Sequence, residues 1–538
     1  MTSNRVGESS PVPIVNPRLV TADLNETATS NRRRWATLTV LCVTLLLISL
    51  DNTVLNVALP SIVRSIGAGS SQLQWMVDAY AVVFAGLLLS LGALGDRAGR
   101  KWIFMAGLVV FGSASALAAW SGTPDRLTVA RAAMGVGAAA LMPCTLSILT
   151  NVFPAERDRA RAIGIWSGTT GLGVALGPIV GGLLLAHFWW GSVFLVNVPI
   201  ALVGLVAAVW LVPNSKNPAA TRPDPVGAGL SIVGLGLLLW GIIEAPGRGW
   251  SSPLIIGAIG GALAVIGSFV LWERHIDHPM LPIRFFTSRR YSAAIAALAL
   301  VLFALLGMFF LMTQYLQFVL GYSPLEAGVR IAPVALALLV VAPLSVVAAR
   351  RIGTKFVVVF GLALIAVGMG FLSTTTVTSS YRDCIGPFLV LGVGVALSLA
   401  PCTESVMGSL PRAEAGVGSA TSDTAMQVGG ALGVGVLGTA LTLRYQHLVT
   451  PVVAHAAVPA SVKGLIENSL GAALAVARHA PPREGAALAL LARHAFVSGM
   501  DLALVIAAIV VGVAGVLVAV LLPNQGTPVP DEGAANGV

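Results

Sequence analysis

Fourteen runs of mainly apolar residues divide the chain, each close to the roughly 20 residues that cross a bilayer as a helix. They fall at 36–59, 74–94, 102–120, 126–149, 161–186, 192–212, 226–244, 253–272, 291–314, 326–349, 356–374, 384–406, 415–441 and 499–522. Short segments between them hold most of the charges and the Gly- and Pro-containing turns that end a helical pattern. An even number of spans places both ends of the chain on one face of the membrane.

Composition narrows the class. Of 538 residues, 56% are hydrophobic and 10% charged, against about 25% charge in a soluble domain, which excludes a large water-facing surface. The net charge of +9 does not point to nucleic acid, because the basic residues are spread through inter-helix loops. Arg97, Arg100, Lys101, Arg157, Arg159, Arg161, Arg350, Arg351, Lys355 and Arg412 lie on one side, while the short loops opposite hold Arg64, Arg126, Arg248 and Arg382. The positive-inside rule then predicts cytoplasmic termini and a multi-pass plasma (inner) membrane location. Residues 1–35 read as a retained cytoplasmic tail ending at Arg32, Arg33 and Arg34 before the first apolar run. The four cysteines have no spacing suited to metal ligation or disulfides.

Two internal matches reveal a repeat. Residues 97–107 align without gaps to 351–361, pairing Arg97 with Arg351, Gly99 with Gly353, Lys101 with Lys355 and Gly107 with Gly361. The tripeptide Pro143-Cys144-Thr145 recurs as Pro401-Cys402-Thr403 at nearly the same offset. Two such matches in fourteen spans predict an all-α polytopic protein of two six-helix halves in a parallel pseudo-repeat plus two inserted central helices. The expected division is 1–35 tail, 36–212 first half, 213–290 inserted helices with their linkers, 291–522 second half with an outer loop at 443–497, and 523–538 cytoplasmic tail. Parallel halves of this kind hold a substrate site between them near the midplane.

Two motifs bear on mechanism. The loop after the second span carries Gly92, Asp96, Arg97, Gly99, Arg100 and Lys101; the carboxylate at a helix end can pair with a base or cap a neighbouring helix, forming a conformational latch, or the charges are simple topology markers. The fifth span carries Gly173, Gly177, Pro178, Gly181 and Gly182, which allow a bend and close helix approach at an inter-half seam. With Leu50-Asp51-Asn52-Thr53-Val54-Leu55-Asn56-Val57-Ala58-Leu59-Pro60, Gln74-Trp75, Phe194-Leu195-Val196-Asn197-Val198-Pro199 and Gln314-Tyr315-Leu316-Gln317, the sequence resembles the major facilitator superfamily, specifically its fourteen-helix drug:proton antiporter family of multidrug efflux type. The resemblance covers roughly 36–522. Helix four departs from it at Met134, where the family often has glutamine.

The resemblance implies a proton-coupled exporter of amphipathic, cationic drugs working by alternating access, and not an enzyme. Ionisable groups inside spans are costly, and Asp51, Arg131, Glu404 and Asp423 are the proton-coupling candidates; Glu404 and Asp423 have solvation at the cytoplasmic helix end, or pairing with Arg412, as their alternative reading. A substrate lining is expected from Asp51, Asp78, Tyr80, Phe84, Trp166, Met308, Met312, Gln314, Tyr315 and Gln317, since aromatic faces attract cations and methionine re-packs around varied shapes. Packing against neighbours is the alternative for any single aromatic or methionine. No G-x-x-x-x-G-K-[ST] occurs, so the expected drive is the proton gradient without ATP, cofactor or metal. The expected partners are a small-molecule substrate, protons and membrane lipid, with no nucleic acid, acting as a monomer. Export of an endogenous lipid, siderophore or antibiotic is the competing reading.

Overall fold

The structure, a computed structural model, describes residues 17–216, 222–410, 415–456 and 458–522, with side chains from Arg32 apart from residues 160, 415 and 416. Most of the N-terminal tail's side chains, the tail 523–538 and Arg412 lie outside the described residues. Among the described residues, fourteen helices are long and apolar enough to cross a membrane: α1 (Arg32–Ile66), α2 (Ser70–Ala98), α3 (Arg100–Ala119), α4 (Pro124–Val152), α5 (Glu156–His187), α6 (Ser192–Leu211), α7 (Pro225–Arg248), α8 (Pro253–His275), α9 (Arg289–Val319), α10 (Pro324–Ile352), α11 (Thr354–Leu372), α12 (Tyr381–Met407), α13 (Val417–Ala454) and α14 (Pro482–Leu521).

Their packing repeats. In the first half α1 lies on α5 and α6, α2 on α4, and α3 on α4 and α6; in the second, α9 lies on α13 and α14, α10 on α12, and α11 on α12 and α14. The two seams between halves, α2 with α13 and α5 with α10, exchange under the same correspondence. Helices α7 and α8 pack on each other, and α7 also lies along α2 and α13. The inserted pair therefore covers one seam and leaves the other bare.

The repeated glycines have a structural cause. Gly99 and Gly353, at φ +128° and +96°, turn the chain from α2 into α3 and from α10 into α11, a backbone region that L side chains rarely adopt. Gly107 and Gly361 let α3 and α11 approach the carbonyls of Gly137 and Gly394 on the facing helix. Helix starts are capped from sequence: Ser323 with Glu326 and Ser380 with Asp383 form capping boxes, with Ser323 N donating to Glu326 Oε2 at 2.9 Å.

Several helices outrun the apolar windows. α1 continues through Pro60 to Ile66, and α9 ends in a π-helical turn at Tyr315–Val319. The segment 443–497, expected as an outer loop, is mostly helix: α13 runs on to Ala454, two short helices follow at Ala460–Asn468 and Leu470–His479, and α14 starts at Pro482. Polar residues on these extensions lowered the hydropathy while leaving helix formation intact. Asp501, placed by the apolar window at an outer helix end, consequently lies within a 40-residue helix.

Candidate functional site

The first half encloses a polar network in an apolar core. Arg131 of α4 forms an ion pair with Asp51 of α1 through Nη1 and Oδ2; the two side chains are 1% and 2% exposed. Arg131 Nε donates to the Met76 carbonyl at 3.1 Å, and its guanidinium lies over the Tyr80 ring at 4.4 Å. Asn197 of α6 donates through Nδ2 to Asp51 Oδ1 and to Ser115 Oγ, both at 3.0 Å. Ser115 donates in turn to the Phe194 carbonyl at 2.9 Å. Met134 fills the family's glutamine position with Sδ 3.9 Å from Arg131 Nη1, a weak contact in place of an amide partner. Five helices thus meet at one buried pair, and Phe84, edge-on to Tyr80 at 5.6 Å, closes its apolar side.

Asn197 and Ser115 were not among the candidates from sequence. Asn197 lies in the Phe194–Pro199 motif, but its pairing with Asp51 across the half is set by the fold.

A cavity of about 940 Å³ lies near the 92–101 loop, a face called here the loop side. It is walled by Leu88, Gly92 and Asp96 of α2, Pro143 and Leu146 of α4, Trp166 of α5, Asp423 of α13 and the stretch from Glu273 to Thr287. Trp166 is fixed by a 3.2 Å bond from Nε1 to Thr145 Oγ1. Of the expected substrate lining, Trp166 alone is on this wall. Met308 and Met312 are fully buried in the second half, and Gln314 Nε2 donates to the Phe310 carbonyl of its own helix. Asp78 points away from the Arg131 network, toward Gly435 of α13 and close to Leu239 of α7, with both oxygens unpartnered.

On the far side the halves are joined. Gln317 Nε2 donates to the Val57 carbonyl at 2.9 Å and Gln317 Oε1 accepts from Arg64 at 3.4 Å. Arg64 lies over the Phe318 ring, and Arg493 Nε donates to the Phe318 carbonyl at 3.2 Å. Tyr315 OH donates to the Thr376 carbonyl at 2.8 Å. Gln317 and Tyr315, expected to contact substrate, here hold the far side and the second half together.

The motif residues divide by role. Gly173, Gly177 and Gly181 face Ser49, Thr53 and Val54 of α1, while Pro178 and Gly182 face Gly328 and the Leu325 backbone of α10 across the uncovered seam. In the 92–101 segment, Arg100 Nε binds Asp96 Oδ1 at 2.6 Å and Nη1 reaches the Ser147 carbonyl at 3.1 Å. Lys101 Nζ donates to the Val209 carbonyl at 2.8 Å, and Arg97 is exposed. Glu404 is a half-exposed partner of Arg350 at 3.0 Å, away from both the buried pair and the cavity wall. Asp51 with Arg131, and Asp423 with Trp166, are therefore the candidates that the fold brings together. Among the described residues no group of three or more His, Cys, Asp or Glu is placed to hold a metal ion.

Two quasi-equivalent halves around a cavity on one side, closed by inter-half bonds on the other, define a polytopic secondary transporter. The chain belongs to the Major Facilitator Superfamily, whose family model matches residues 41–434. It is 38% identical to the multidrug efflux pump LfrA of Mycolicibacterium smegmatis over 91% of this chain and 96% of that one. It is 34% identical to the methyl viologen resistance protein SmvA of Salmonella typhimurium, covering 88% and 95%, and 32% identical to the tetracenomycin C resistance and export protein of Streptomyces glaucescens, covering 90% of each. In fold it is similar to a bacterial homolog of the human lysosomal transporter Spinster in an inward-facing, unoccupied conformation, with TM-score 0.65, 18% identity and 92% and 99% of the two chains covered.

Proposed function

We propose that this chain exports amphipathic, cationic compounds in exchange for protons by alternating access, as a monomer in the inner membrane with both termini cytoplasmic. The loop-side cavity is then the cytoplasmic entry, and similarity to resistance and efflux proteins over nine-tenths of the chain supports the substrate class. The observation that carries the coupling is the buried Asp51–Arg131 pair.

A buried pair is stable only while both charges remain; removing one leaves the other uncompensated, at about 3–5 kcal/mol. A proton arriving on Asp51 does this, leaving Arg131 held by the Met76 carbonyl and the Tyr80 face. The helix that carries Asp51 also presents the Val57 carbonyl to Gln317, so relief of the strain along α1 reaches the far-side closure. Each inward proton supplies about 2.3 kcal/mol per 100 mV and about 1.4 kcal/mol per pH unit, without ATP or a cofactor. Trp166 and Asp423 on the cavity wall offer an aromatic face and a carboxylate to a cation.

The test is uptake of a fluorescent cationic dye into inverted vesicles under an imposed proton gradient, with the unmodified chain and Asp51→Asn. Gradient-dependent uptake that Asp51→Asn abolishes is the expected result. Uptake indifferent to the gradient rejects coupling, and full uptake by the variant removes Asp51 from it.

A further inference from the structure

We propose that Asp224 and Glu273, at the base of the inserted helix pair, form a proton-binding site beside the cavity, on whose wall Glu273 lies, separate from the Asp51–Arg131 pair. Asp224 caps α7: its Oδ1 accepts from Val226 N at 3.1 Å and Gly227 N at 2.9 Å, and its Oδ2 accepts from Trp272 Nε1 at 2.9 Å. Glu273 follows Trp272 on α8, and its Oε2 accepts from Leu281 N at 2.9 Å. Its other oxygen, Oε1, has no hydrogen-bond partner. Both residues are 3% exposed.

The two carboxyl groups converge over Gly227. A Cβ on that glycine would meet Asp224 Oδ2 and, at 2.7 Å, Glu273 Oε1. Among the described residues, Asp224 Oδ1 takes the two cap amides and Oδ2 the indole, and no donor reaches Glu273 Oε1. Two desolvated anions this close repel strongly, and a single proton shared between them removes the repulsion and supplies the missing donor to Glu273 Oε1. In that form Glu273 Oε1–H donates to Asp224 Oδ2.

The site ties three parts of the molecule together. The Asp224 carbonyl accepts from Ser90 Oγ of α2 at 3.0 Å, and Glu273 holds the linker that runs from α8 along the cavity. Arg222, Asp277, His278 and Arg284 of the linkers, Arg274 of α8, Asp96 of α2 and Asp423 of α13 line the same cavity and set the field around it. With the proton bound, the base of α7 and α8 stays closed on α2. As loop-side pH rises and the proton leaves, two adjacent anions push the linker from α7, and the cavity wall opens. The inserted pair thus makes entry to the cavity respond to pH on the loop side.

The purified full-length protein in lipid is examined by infrared difference spectroscopy during a pH titration, comparing the unmodified chain with Glu273→Gln and Asp224→Asn. The proposal expects a carbonyl-stretch band of a protonated carboxylic acid that disappears in both variants, and a loop-side pH dependence of transport that both flatten. A band and a pH profile unchanged in either folded variant overturn it. A spectral change driven by sodium at constant pH also overturns it, by making the pair a metal-cation site. The band is read without any transported substrate, so failure here is separate from failure of the export reading.

Discussion

Asp51 and Arg131 come from helices one and four, 80 residues apart in sequence, and meet as an ion pair almost wholly removed from solvent. Its geometry, with Asn197 on one carboxylate oxygen and Tyr80 beneath the guanidinium, makes the pair the centre of the first half. Asp51→Leu should destabilise the protein by about 3–5 kcal/mol, because the guanidinium is left buried without its anion. The double variant Asp51→Leu with Arg131→Met should recover most of that loss and remain inactive. Thermal unfolding in detergent alongside vesicle transport separates the two effects; a double variant as unstable as the single one contradicts the argument.

Asn197 orients Asp51 through one hydrogen bond and Ser115 through another. Replacing it by leucine leaves a buried carboxylate oxygen and a hydroxyl short of a donor, at about 1–3 kcal/mol. The expected outcome is lower thermal stability together with slower transport, while Ser115→Ala alone has a smaller effect. Equal losses from the two changes would count against Asn197 acting on the pair.

Far-side closure rests on few bonds. Gln317→Ala removes both the bond to the Val57 carbonyl and the acceptor for Arg64, worth about 0.5–1.5 kcal/mol each. The population open on the far side should rise by about tenfold, seen as faster labelling of a cysteine introduced at Ser61. Unchanged labelling would show that the apolar contacts alone hold the closure.

At the uncovered seam, Gly182 of α5 abuts the Leu325 backbone of α10. A valine there has no flexible neighbour to displace, so the seam must open. Gly182→Val should reduce transport and weaken a disulfide cross-link engineered across α5 and α10, whereas Gly164→Ala, where a Cβ meets open space, should be neutral.

Trp166 faces the cavity with its indole N–H fixed on Thr145. A cation over such a ring gains about 0.5–2 kcal/mol. Trp166→Leu should raise KM several-fold for cationic substrates and little for neutral ones of similar size. A uniform rise would assign Trp166 to packing.

Hydropathy, the repeated Arg-x-Gly-x-Lys and Pro-Cys-Thr segments, and the motif at Asp51 were enough to establish fourteen spans, two related halves and the superfamily, because lipid demands long apolar helices and tight turns demand glycine at Gly99 and Gly353. Helix ends beyond the apolar windows were less legible: the Pro60 segment and the polar, alanine-rich stretch before α14 lower hydropathy without preventing helix formation. Pairing is a different matter. Whether Asp51 meets Arg131, whether Asp78 turns to the α7 seam, whether Gln317 lines a substrate path or bolts the far side, and whether Asp224 and Glu273 converge all depend on helix rotation and on contacts between residues tens to hundreds of positions apart. A single chain's apolar pattern specifies that a helix is buried in a membrane but not which of its faces meets which neighbour, and those rotations were decided by the packing of fourteen helices together.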